Sequence, residues 1–264
     1  MKRQWGVDVD KKENRKQLTK KPKIDINTLL EKKKEIEDRG YSNFTDWKQQ
    51  YKELKEIDKQ IDKLKTKEKA DKVGGYTKKL NDLCEFTRFS DISLYPEELQ
   101  KHIYDNYKVV YDKYPQIKYG GLVLQKIGGK DSSFGRNASS SNIVELNTYY
   151  YDNLDFLKEE YDETVKNGYH PQGTDYNSII AHELGHALQK RIEGEYKISA
   201  SEIKTRVLKE SGIKRKNVGT ELSKYATEET DEFFAEAFSE YVTSKTPRPL
   251  AIAFGKVIDE ILKN

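Results

Sequence analysis

The chain has 264 residues, enough for one large domain or two small ones. Apolar residues make up 35% and charged residues 35%, where roughly 45–50% (glycine included) and 25% are usual, so a modest core carried by long solvated helices is expected. No apolar run approaches the ~18 residues of a membrane span, no apolar region follows the basic start Met1-Lys2-Arg3 as a secretory signal requires, and a lone Cys84 excludes an intrachain disulfide and a thiolate metal site.

These features fit a protein that is cytoplasmic, virion-associated, or exported by a route that uses no cleavable signal. The net charge of +3 hides an asymmetry: residues 1–80 carry 24 Lys/Arg against 15 Asp/Glu, and the remainder 24 against 30. A basic segment can meet nucleic acid or an acidic partner. Here the aromatic interleaving that base stacking needs is thin, and a solvated lysine-rich helical region is the preferred reading.

Residues 1–24, with Pro22 as a breaker, read as a flexible arm. Residues 26–40 predict a helix capped by Asn27 or Thr28 and stopped at Gly40. Residues 44–72 predict a longer one, with Trp47, Tyr51, Leu54, Ile57, Ile61 and Leu64 recurring at steps of three and four. The two helices are expected to form a hairpin or to hold a protein partner. Gly74-Gly75 is the clearest boundary, which divides the chain into a charged helical arm, 1–75, and a second domain, 76–264.

Residues 76–86 and the stretch opened by Pro96 and running through Tyr111 predict amphipathic helices. Cys84 reads as half-buried and His102 as a surface residue. The pattern then changes. Residues 121–127 predict a strand, 130–141 a polar loop, and 142–151, rich in β-branched and aromatic residues, a second strand. A polar helix over 153–168 ends at Gly168. The turn Tyr169-His170-Pro171-Gln172-Gly173-Thr174 follows; its His170 is close enough in sequence to what comes next to touch a substrate or a metal there, but the turn is expected to point it away from ligation.

What comes next is Ile179-Ile180-Ala181-His182-Glu183-Leu184-Gly185-His186-Ala187-Leu188, opened by Thr174 or Asp175 as a cap. On a helix, His182 and His186 leave the same face, so both imidazoles can reach one zinc ion. Glu183, rotated by about 100°, is placed to take a proton from a metal-bound water. Gly185 allows something to pack close. A core helix with two incidental histidines is the competing account.

A catalytic zinc usually takes three protein ligands, and no His or Cys lies downstream of His186. A carboxylate or an upstream residue must serve. Residues 228–244 predict a helix with an apolar face of Phe233, Phe234, Ala237, Phe238 and Tyr241 and a row of Glu232, Glu236 and Glu240. Like charges at i, i+4 destabilise a helix, so either the row is a solvated edge or a cation sits above it. Spacing allows Glu232 or Glu236 as the ligand. Ala235 beside the row permits close approach to the first helix. Residues 249–263 predict a closing amphipathic helix.

Taken together, Asn177-Ser-Ile-Ile-Ala-His-Glu-Leu-Gly-His186 and Glu232-Phe-Phe-Ala-Glu-Ala-Phe238 resemble the gluzincin metallopeptidases. More narrowly they are similar to the lethal-factor catalytic domain family and to peptidase domains of phage head-associated and toxin-cassette proteins. The resemblance covers roughly residues 140–255 and nothing before about residue 80. It implies an α+β, zincin-like metallopeptidase domain: a small twisted sheet, the His-Glu-x-x-His helix and the Glu-bearing helix, here with a charged helical N-terminal extension. It implies Zn²⁺ on His182, His186 and Glu232, Glu236 steadying a ligand histidine, Glu183 as general base, and Tyr225 supporting the reaction. It also implies that a strand before the zinc helix borders the cleft and pairs with substrate, and 142–151 is the candidate.

The expected function is a zinc-dependent endopeptidase acting on a polypeptide substrate, with no membrane and no nucleic acid involved. The alternative is a catalytically silent protein that keeps the zinc fold as a structural or binding module.

Overall fold

The computed structural model describes residues 25–117, 120–130, 132–138 and 143–263. The expected arm 1–24 lies outside the described residues. The chain divides into two compact units, Met1–Leu54 and Lys55–Asn264. The division falls inside a helix, ahead of Gly74-Gly75, where the backbone turns through positive φ at both glycines.

In the first unit, α1 (Ile26–Asp38) starts ahead of the expected caps Asn27 and Thr28, because the Asp25 carboxylate caps it instead, accepting from the Thr28 amide at 2.8 Å. Helix α2 (Phe44–Val73) follows. Its Gln50 donates to the Ile36 carbonyl, and its Glu53 pairs with Arg39 at 3.4 Å, which closes the hairpin. Phe44, Trp47 and Tyr51 are exposed and stack in series, 5.4 and 5.5 Å apart.

The second unit is α+β, mostly helical around a mixed three-stranded sheet. It opens with the rest of α2, then α3 (Gly75–Cys84) and α4 (Glu97–Lys113). Cys84 is fully buried rather than half-buried. Strand β1 (Gly121–Gln125) runs parallel to β3 (Ile143–Asn147), and β2 (Gly135–Ala138) runs antiparallel to β3 on its other side.

Two expectations are corrected here. The stretch 130–141 is not all loop, since it contains β2. The strand expected over 142–151 ends at Asn147, and Thr148–Tyr151 is a helical turn, α5. The cause is Asn147, fully buried, whose Oδ1 accepts from the amides of Tyr149 and Ile127 at 3.2 Å each. A side chain that caps the next turn overrides the β preference of Tyr149, Tyr150 and Tyr151. As β3 is paired on both sides, it is not the sheet edge that was expected; among the described residues β2 is an edge.

Helices α6 (Leu154–Lys166) and α7 (Ser178–Glu195) come next. Helix α7 begins later than Thr174 or Asp175, because Asp175 instead ties the Asn177 amide at 2.8 Å. From Ser178 to Gly185 every residue of α7 is buried, as its apolar and small residues dictate. Helix α8 (Ala200–Ser211), a turn α9 (Val218–Glu221), α10 (Thr230–Thr243) and α11 (Pro249–Lys263) complete the chain. Phe233, Phe234, Ala237 and Phe238 of α10 are wholly buried. Phe234 meets Phe254 of α11 at 4.8 Å, and Phe238 meets Tyr114 at 5.4 Å.

His102 is not a surface residue. It is half-buried and stacked on Tyr176, ring centres 4.9 Å apart and 4° from parallel. Burial depresses its pKa to about 4 from the ordinary 6.5, against the pull of Asp175 and Asp105. Between those values the unfolded chain binds the extra proton and the folded one does not, so stability falls as pH falls through that window. We expect His102→Phe, which keeps the stack, to remove up to about 2 kcal/mol of the stability difference between pH 7 and pH 5. Chemical unfolding followed by circular dichroism at both pH values, in wild type and variant, measures it.

Candidate metal centre

Helix α7 presents His182, Glu183 and His186, and α10 presents Glu232 and Glu236. The two helices approach closely at Gly185. A Cβ there would lie 3.0 Å from the Ala235 Cα and 3.2 Å from the Phe238 ring. The small pair Gly185 and Ala235 therefore brings the two helices together and sets Glu232 opposite the histidines.

His182 Nε2 lies 3.2 Å and His186 Nε2 3.6 Å from the same oxygen, Glu232 Oε2. The two imidazoles stand nearly perpendicular, centres 4.9 Å apart. Among the described residues this is the one group of His, Cys, Asp and Glu whose ligand atoms converge, all within 4.8 Å of one another.

The far side of His182 decides its tautomer. Its Nδ1 lies 2.8 Å from Glu236 Oε1, so the ring hydrogen sits there. Nε2 is then a bare lone pair facing Glu232 Oε2, a buried oxygen with no hydrogen-bond partner. Two acceptors held that close need a shared cation. The chemistry of the set, two imidazole nitrogens and a carboxylate oxygen, suits zinc. Without one, a proton takes the place. Burial lowers the His182 pKa, but Glu232 and Glu236 outweigh it and the net direction is up. Burial likewise raises Glu232, and the adjacent His182 and His186 outweigh that, holding its carboxyl well below the ordinary range.

Glu236 is 1% exposed. It receives His182 Nδ1, the Ser223 hydroxyl at 2.8 Å and His170 Nδ1 at 3.2 Å. Burial opposes its charge, but His170 and His182 prevail and draw its pKa down to about 2. The third member of the acidic row is explained without a metal: Glu240, fully buried, is clasped by Arg248 Nε at 2.9 Å and Nη2 at 2.6 Å.

Glu183 is 5% exposed, and burial pushes its carboxyl above the ordinary carboxylate range. Tyr225 opens a 3-10 turn, Tyr225–Thr227. Its ring stacks on His182 at 5.8 Å, and burial first, then the nearby Glu232 charge, raise the pKa of its hydroxyl. Backbone bonds fix this turn to the one before α7: Lys224 N to Gly168 O at 2.9 Å and Tyr225 N to Tyr169 O at 3.1 Å.

That second turn carries His170, which sequence reading expected to point away. It is not among the converging ligand atoms, but it is buried beside Glu236. Ser223 and Asn137 also escaped sequence reading. Asn137 of β2 donates to the Glu183 carbonyl at 3.2 Å and accepts from Lys190 at 2.9 Å, pinning the edge strand against α7.

His170, His182, Glu183 and Tyr225 line one side of a cavity of about 440 Å³, with Phe134 and Tyr150 among its other walls. Comparison with protein-family models, with curated proteins and with solved structures returned no match to this chain.

Wild-type protein offered zinc and then desalted is expected to retain about one equivalent, and His186→Ala or Glu232→Ala to retain none, by elemental mass spectrometry. A chelator should lower the wild-type midpoint of thermal unfolding and leave those variants unmoved. Ligand at ~1,000 times its Kd adds about 4 kcal/mol.

Proposed function

We propose that this chain is a zinc-dependent endopeptidase of zincin-like, gluzincin type, hydrolysing peptide bonds of a polypeptide. The observation that carries the reading is the buried, unpartnered Glu232 Oε2 facing two imidazole nitrogens, one of which is deprived of its hydrogen by Glu236. His182, His186 and Glu232 would hold the ion. When bound there, zinc polarises a carbonyl and makes a water acidic enough to act as a nucleophile near neutral pH.

The remaining work falls to the protein. Glu183 takes the proton of the attacking water and hands it to the nitrogen of the departing amine. Its raised pKa suits both halves of that exchange, because a base too weak could not accept the proton and one too strong would not release it. The Tyr225 hydroxyl, beside the ion's ligands, donates to the carbonyl oxygen as negative charge grows on it. Glu236 keeps the His182 hydrogen on Nδ1 and the ring in place.

Strand β2 supplies the surface along which a substrate would lie as an added strand. It borders the cleft at Gly135, where a Cβ would come 3.5 Å from Glu183 Cγ, and it is bonded to α7 through Asn137. The Phe134 and Tyr150 side chains beside it give the cavity an apolar wall for a substrate side chain.

The test is hydrolysis of β-casein by the zinc-loaded protein, with chelator as control. Glu183→Gln is expected to keep its zinc and lose cleavage. Tyr225→Phe is expected to keep its zinc and lose on the order of 10²–10³ in kcat, the usual cost of one such donor. Cleavage at the wild-type rate by purified Glu183→Gln overturns the mechanism. Stoichiometric zinc without cleavage of casein or of a degenerate peptide library leaves a metal-bearing binding module instead.

A further inference from the structure

We propose that His170 is a substrate-binding residue, its Nε2 accepting a hydrogen bond from a backbone N–H of the bound polypeptide. The inference rests on the peptidase reading above and adds a residue to it.

The turn that carries His170 is fixed. The amides of Tyr169 and His170 both bond the Thr164 carbonyl, at 2.8 and 3.3 Å, and Pro171 follows. The ring is fixed as well. It lies parallel to Tyr161, centres 5.0 Å and planes 9° apart, and meets the Tyr225 ring edge-on at 5.7 Å. A ring held from both sides does not swing to find other partners.

Its two nitrogens have different fates. Nδ1 lies 3.2 and 3.3 Å from the two oxygens of Glu236, a carboxylate that can only accept, so Nδ1 carries the hydrogen. Nε2, on the other side of the ring, is left as an acceptor. Among the described residues it has no bonding partner, yet it is not one of the fully buried polar atoms that lack one, and the ring lines the cavity. The open nitrogen therefore faces the space a substrate would fill, between Tyr225 and the aromatic wall.

Support of Glu236 alone does not explain a histidine here. Ser223 and His182 already donate to that carboxylate at 2.8 Å each, and an amide side chain at 170 would supply a third donor. What the imidazole adds is a second polar atom directed into the cleft. A backbone N–H is the group every polypeptide offers, so the contact fits a substrate recognised through its main chain, as pairing with an edge strand also requires.

Two substitutions separate the nitrogens. The Asn amide reaches where Nδ1 stands, and the Gln amide reaches where Nε2 stands. The probes are a leucyl-peptide hydroxamate, which has a backbone, and acetohydroxamate, which has none. Binding is measured by calorimetry on zinc-loaded Glu183→Gln protein. His170→Asn is expected to hold its zinc and bind acetohydroxamate normally, but to bind the peptide hydroxamate roughly three- to tenfold more weakly, the worth of one hydrogen bond. His170→Gln is expected to bind it closer to the parent. With only four histidines in the chain, imidazole ¹⁵N spectra give a second readout: the His170 Nε2 resonance should shift with the peptide probe and not with acetohydroxamate.

Parent-level binding by His170→Asn overturns the proposal and leaves the peptidase reading intact. So does loss of zinc in His170→Asn, which would make His170 a mere prop of Glu236, and so does a zinc-loaded parent that takes acetohydroxamate but not the peptide. A wild type that holds no zinc overturns both readings together.

Discussion

A carboxylate buried in a protein core is stable only if donors surround it. Glu236 stands 1% exposed at the junction of α7, α10 and the two turns that flank them. Its charge is met by three donors from three separate segments: His182 on α7, His170 on the turn before it, and Ser223 ahead of α10. Removing a partner from such a buried group typically costs about 3–5 kcal/mol. The same carboxylate thereby fixes the tautomer of His182 and the orientation of His170. Each of the segments that converge on it is held in register by a need that has nothing to do with substrate.

The acidic row of α10 divides into three separate tasks. Glu232, in the first turn, faces the two Nε2 atoms; Glu236, one turn on, takes the hydrogen of His182; Glu240, one turn further, is clasped by Arg248. A helix with three like charges on one stripe would be disfavoured alone. Here each charge has its own counter-group, and the stripe can be buried beside Phe233, Phe234 and Phe238. The contact of Gly185 with Ala235 makes this possible, since a side chain at 185 would press on the α10 backbone and Phe238.

The parts legible in the sequence were those written in one segment. The spacing of His182 and His186, the closing helix 249–263, and the Gly185 and Ala235 approach were all readable from local pattern, because helical periodicity fixes which side chains share a face. What failed to read was set across segments. Gly135-Arg136-Asn137-Ala138 has no β-branched residue and is a strand only because β3 pairs with it and Asn137 anchors it to α7. Tyr149, Tyr150 and Tyr151 favour a strand, but the buried Asn147 caps them into a turn. His102 read as a surface residue, and the carboxylate beside His170 went unseen, because nothing near them in the chain announces Tyr176 or Glu236 as neighbours. The choice between Glu232 and Glu236 was open for the same reason. Spacing treats them alike; the resemblance pointed to Glu232, and in the structure the two carboxylates lie on opposite nitrogens of His182.

The charge count of the site adds a reason for a divalent ion that does not depend on any motif. Glu183, Glu232 and Glu236 are three carboxylates within one buried region, and each raises the cost of charging its neighbours. His182 and His170 share a single carboxylate, and one proton on His182 relieves only part of the repulsion. A 2+ ion on the two Nε2 atoms and Glu232 would offset two of the three charges, with the remaining hydrogen of His182 already placed on Glu236. The third charge is then Glu183, whose carboxyl burial pushes upward.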